Sequence, residues 1–128
     1  MSEAVARSYP MQAIVIWVLR LLMATLFLFA AYMKLSSQPM MVEEFGVVGL
    51  GQWFRYLTGA VELVGGIAVL IPIVSGFAAL LLLGVDLGAL VAQVTLIHQD
   101  WIHTIVIGAI LVALVYLQRS QIRARLEL

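Results

Sequence analysis

Four polar side chains interrupt otherwise apolar runs: Arg20 in "IVIWVLRLLMATLF", Glu62 in "TGAVELVGG", and Asp86 and Gln93 in "LLLLGVDLGALVAQV". A charge at the centre of a bilayer costs about 2.5–3.5 kcal/mol on insertion scales, so such groups turn inward and find partners. With a rise of about 1.5 Å per residue, Arg20 lies roughly 13 Å from the start of its apolar run, Glu62 roughly 12 Å and Asp86 roughly 15 Å. In a hydrocarbon core about 30 Å thick, all three converge near the midplane. The spacing therefore predicts an Arg20–Glu62–Asp86 cluster. Two carboxylates facing one guanidinium would favour a shared proton, because a nearby like charge and desolvation both raise a carboxyl pKa. That arrangement suits a structural clasp and a proton relay alike, and the residues leave both readings open.

Helical phase supports the convergence. Arg20, Phe27, Ala31 and Lys34 fall on one face; Arg55, Gly59, Glu62 and Gly66 share another. Asp86 and Gln93 are a heptad apart, and Gly84 and Gly88 flank Asp86 in a G-x-x-x-G spacing that permits tight helix contact.

The elements that must carry these residues are apolar helices of about 20 residues. Spans are predicted over 11–33, 54–73, 76–97 and 101–117, with Pro72 and Gly76 breaking one long run into a hairpin. No strand alternation is visible, and helices satisfy their own backbone groups in lipid. The predicted fold is an all-α membrane protein, an antiparallel four-helix transmembrane bundle forming one domain. Between spans one and two, "SSQPMMVEEFGVVGLG" carries a helix start at Ser37 and Pro39 and a stop at Gly46. A short interfacial helix over about 38–46 is expected there.

Composition agrees with this class. Of 128 residues, 64% are hydrophobic and only 11% charged, and the mean hydropathy is +1.11, against roughly 25% charged in soluble domains. There is too little charge to coat a water-facing surface. The net charge of zero gives no hint of nucleic acid, and the absence of cysteine excludes disulfides, thiolate metal sites and iron–sulfur clusters. The first apolar stretch is longer than a signal-peptide core and is expected to stay in the protein. Arg7, Arg119, Arg123 and Arg125 flank the spans on one side, which predicts cytoplasmic termini. Trp53, Tyr56 and Trp101 then mark the outer interface, and Tyr9 and Tyr116 the inner one.

Several smaller features have bland readings. His98 and His103 bracket a turn beside Asp100. Their H-x-x-x-x-H spacing does not lie on one helical face, so they read as interfacial caps, and no metal site is expected. An outer cavity lined by Lys34, Arg55, His98 and His103 and leading toward Glu62 is the alternative. The basic end "IRARLEL" reads as a topology determinant, with anionic headgroups as its other candidate partner. No catalytic constellation is visible.

Arg20, the Lys34–Leu35 pair, and Gly59, Glu62, Gly65 and Gly66 in "TGAVELVGG" together resemble the DoxX-like family of small four-span membrane proteins, over roughly Arg20 to Tyr116. Two departures stand out: Ala30 and Ala31 occupy positions before the lysine where the family usually has glycine, and Asp86 replaces an apolar residue. The resemblance implies a four-helix fold in the bacterial inner membrane. Some relatives belong to thiosulfate:quinone oxidoreductase, but no residue here identifies that chemistry. The first expectation is a non-enzymatic subunit or accessory of a membrane redox or respiratory complex, with other subunits, a second copy and the lipid bilayer as its partners. The alternative is a small-molecule- or proton-linked binding or transport protein with an outward-facing cavity above Glu62. A quinone-linked oxidoreductase subunit ranks third, quinone being the one cofactor left open.

Overall fold

The computed structural model describes residues 3–97 and 101–126, with side chains over 11–96 and 101–126. Every regular element among the described residues is helical: α1 (Glu3–Leu35), α2 (Pro39–Val48), α3 (Gln52–Ala68), α4 (Ser75–Ala92) running into a π-helical turn (Gln93–Ile97), α5 (Ile102–Leu117) and α6 (Arg119–Leu126).

Helix ends follow local chemistry. α1 stops because Ser37 adopts a left-handed φ of 59°, letting the Gln38 N–H reach back to the Met33 carbonyl at 3.2 Å. Pro39 opens α2, where its missing N–H costs nothing. α2 passes through the expected stop at Gly46 and ends at Gly49, whose φ of 83° is the left-handed C-cap. α3 ends five residues before the predicted span does. Residues 69–74 form a turn instead, tightened by bonds from the Leu70 and Ile71 N–H groups to the Ile67 and Ala68 carbonyls. Pro72 cannot continue a helix, and it pushes Ile71 away from helical backbone.

The long helices pack in chain order. α1 lies mainly on α3 and α4 mainly on α5, while α3 meets α4 over a smaller area and α5 returns to α1. Glycines permit the closest approaches. A Cβ on Gly66 would stand 3.0 Å from the Leu28 side chain, and one on Gly65 would stand 2.6 Å from Leu82. The core therefore concentrates beside the α3–α4 turn, around Met23, Val69, Leu82, Leu111 and Leu114, all fully buried.

Two helical stretches, Met11–Leu35 and Ser75–Leu96, are long and apolar enough to cross a membrane. A third crossing results if α5 and α6, bent by 60° at their junction, count as one span. At 17 residues, α3 covers about 25 Å at the helical rise, short of the usual hydrocarbon thickness.

Candidate ligand cavity and its polar lining

Arg20 does not meet Glu62 or Asp86. Its Nε donates to Ser75 Oγ at 3.0 Å, its Nη2 donates to Gln118 Oε1 at 2.7 Å, and its guanidinium stacks 4.7 Å from the Trp17 ring. Ser75 passes the chain on to the Val69 carbonyl at 2.7 Å, and Gln118 donates to the Leu114 carbonyl at 3.2 Å. The expected three-residue cluster is thus corrected to a neutral-partner knot joining α1, the first residue of α4 and the end of α5. The cause is axial position. α1 starts at Glu3 and runs well past the beginning of α4, so Arg20 is level with Ser75 and not with the middle of the bundle. Gln121 reinforces this end by accepting from the Gly76 N–H at 2.8 Å and donating to the Pro72 carbonyl.

Glu62 takes its cation from the other end of α1. Lys34 Nζ lies 2.8 Å from Glu62 Oε1, a buried ion pair. The approach depends on Gly59, where a Cβ would stand 3.1 Å from Lys34 Cβ and 3.0 Å from Leu35 Cγ. The one-face reading of Gly59, Glu62 and Gly66 on α3 therefore matches the packing. Arg20 and Lys34 are 14 positions apart on one helix, about 21 Å along the axis, so one acid cannot serve both.

Arg55 is not part of a cavity wall. It is 3% exposed and donates to the Lys34 carbonyl, to Ser37 Oγ at 3.0 Å and to Gln52 Oε1 at 2.7 Å. It caps the carbonyl end of α1, where a cation complements the helix dipole. The cavity expectation for Arg55 is corrected accordingly. His98 and Asp100 lie outside the described residues.

A cavity of about 820 Å³ lies beneath α2, at the end of the helix assembly away from Ser75. α1 contributes Phe27 and Lys34, α3 contributes Thr58 and Glu62, α4 contributes Gly84, Asp86 and Gly88, and α5 contributes His103 and Thr104. Gln93, at the start of the π-helical turn, completes the wall. Such turns distort the helical ladder and recur at functional sites. Gln93 Oε1 is buried with no hydrogen-bond partner among the described residues. α2 roofs the space with Met40, Met41, Glu44, Phe45 and Val48, held down by a 3.1 Å bond from Gln52 Nε2 to the Val42 carbonyl and by Phe45 against Phe54.

Glu44 was missed as a lining residue, although its place on α2 carries the signal: Met40, Glu44 and Val48 repeat every four residues. Burial raises the Glu44 carboxyl pKa, opposed by the charges of Lys34 and His103. The G-x-x-x-G pair is also corrected. Nothing lies within 4 Å of a Cβ built on Gly84 or Gly88, so these glycines make room for the cavity and no tight helix contact. Gly108 has the opposite role, since a Cβ there would stand 2.8 Å from Asp86 Oδ2.

With the geometry in place, the family can be assigned: the DoxX-like family model matches residues 18–117. The chain belongs to the DoxX-like family. No curated protein and no solved structure matches. Within this DoxX-like chain, the matched region takes in the Lys34–Glu62 pair and all of the cavity lining, while Gln118, which accepts from Arg20, lies just beyond it. Family and apolar helices together make it a membrane protein.

Proposed function

We propose that this DoxX-like protein binds a small molecule in the cavity beneath α2. The observation that carries the reading is the coincidence of size and lining. About 820 Å³ falls within the range of ligand sites, which are mostly apolar with a few convergent polar groups. A purely scaffolding subunit of a redox complex has no need of such a space, so this reading displaces the accessory-subunit expectation. Docking to other membrane subunits remains compatible with the exposed apolar outer faces of α1 and α5, and quinone is one ligand to screen.

In the membrane, α1, α3, α4 and α5 each cross, with α3 shortened and the α5–α6 bend set at the interface. Arg119, Arg123 and Arg125 face the cytoplasm of a bacterial inner membrane by the positive-inside rule. The cavity then belongs to the outer leaflet, close to Trp53, Tyr56 and Trp101, which are exposed at that end.

A thermal-shift screen of lipophilic small molecules on purified protein, repeated on Gly84→Leu, tests the proposal. Ligand stabilisation grows with occupancy of the folded state. Compounds that raise the wild-type Tm should leave the Gly84→Leu Tm unmoved, because the new side chain occupies cavity space at a position where a Cβ meets nothing within 4 Å. Equal shifts in both proteins would refute binding in this cavity.

A further inference from the structure

The identity of the ligand can be narrowed, on the premise that the cavity is a binding site. Asp86 is 4% exposed, lines the cavity, and receives no hydrogen bond and no ion pair among the described residues. Its carboxyl packs against Gly108, where even one methyl group would collide with it. A buried acid with no hydrogen-bond or ion-pair contact is a costly feature, and this one borders a space large enough for an organic molecule.

The other charges around that space are already disposed. Lys34 is engaged by Glu62. Glu44 adds a second acid from the roof, and His103, exposed on α5, is within coulombic reach of both Glu44 and Asp86 without an ion-pair contact to either. With histidine neutral, the lining holds three carboxylates and one ammonium. Lys34 offsets Glu62, which leaves the carboxyls of Glu44 in the roof and Asp86 in the wall, so an anionic ligand is disfavoured and a cation that reaches Asp86 is favoured. The remaining wall holds the neutral polar groups of Thr58, Gln93 and Thr104 and is otherwise apolar, with the rings of Phe27, Phe45 and Phe54, surfaces that suit a delocalised cation or an aromatic body.

Access points the same way. Leu57 and Leu81 are 48% and 44% exposed, and both line the cavity together with exposed Gly84 and Gly88. The open side therefore falls between α3 and α4, which meet closely at Gly65 and Leu82 near the opposite end. A seam between two apolar helices faces lipid, not water.

We propose that the ligand is a lipophilic organic monocation, entering between α3 and α4, whose charge is paired by Asp86.

Tetraphenylphosphonium and tetraphenylborate share a shape and differ in sign, which makes them suitable probes for equilibrium binding to the full chain in detergent. The wild type should bind the phosphonium saturably and tetraphenylborate far more weakly. Asp86→Asn keeps the side-chain outline and removes the charge. It should weaken phosphonium binding about thirtyfold, equivalent to the ~2 kcal/mol lower end for truncating a buried charge pair. Asp86→Ser provides a second neutral variant, and the comparison of the two probes on wild type needs no variant at all. Phosphonium binding unchanged in both neutral variants, or absent from wild type, would overturn the proposal. Tetraphenylborate binding as well as the phosphonium, yet abolished by Gly84→Leu, would also overturn it while leaving the cavity reading intact.

Discussion

At the scale of single residues, the decisive fact is that each buried charge has a different fate. Arg20 is held by two neutral side chains, Lys34 neutralises Glu62, Arg55 caps α1, and Asp86 is left facing the cavity. A double-mutant cycle distinguishes the observed Arg20 knot from the cluster expected at the sequence level. Arg20→Leu should lower stability by about 1–3 kcal/mol, because Gln118 Oε1 loses its donor in a buried setting. Adding Gln118→Leu should then cost much less than it does alone, whereas adding Glu62→Gln and Asp86→Asn should bring no recovery. Melting curves in detergent read all three. Rescue by the acid substitutions would restore the Arg20–Glu62–Asp86 arrangement and discard the knot.

Among the elements, the glycines sort by what faces them. Gly65 packs against Leu82, which is itself fully buried and has nowhere to move, so Gly65→Ala should destabilise by about 1–3 kcal/mol. Gly84 faces open space, so Gly84→Ala should be neutral or stabilising by up to about 1 kcal/mol through helix propensity. Thermal unfolding of the pair checks the contrast, and similar losses at both positions would contradict it. The roof helix α2 adds a pH dependence. Burial raises the Glu44 pKa above its unfolded value, so the folded state holds this proton more tightly than the unfolded state. The associated stability is present below the ordinary carboxylate range and is lost as pH rises through the raised pKa. The Tm of wild type relative to Glu44→Gln should therefore fall with rising pH across that window, and a flat difference would show Glu44 to be solvated.

For the whole molecule, the proposed four crossings make a prediction about topology. Sequence spacing favours four, whereas helix length and apolarity license two or three, because the α3–α4 turn claims residues that periodicity alone assigned to α3. The natural absence of cysteine makes the count direct to measure. Single cysteines at Ser120, Gly49 and Ile73 can be labelled with a membrane-impermeant maleimide on sealed cells. With four crossings and cytoplasmic ends, the Gly49 position should label from outside, and the Ser120 and Ile73 positions only after lysis. Labelling of Ile73→Cys from outside would mean that α3 does not cross.

Much of this protein was decided locally. The apolar runs and scarcity of charge dictated membrane helices, Pro39 dictated the start of α2, and "TGAVELVGG" announced a face that another helix could approach closely. The insertion cost of a charge guaranteed that Arg20, Glu62 and Asp86 would point inward. Which of them would touch was not written there. Pairing depends on how far each helix slides along its neighbour, and every residue of offset moves a side chain about 1.5 Å along the axis. α1 extends past the start of α4, so Arg20 fell to Ser75 and Gln118, Lys34 became the partner of Glu62, and Asp86 was left to line the cavity.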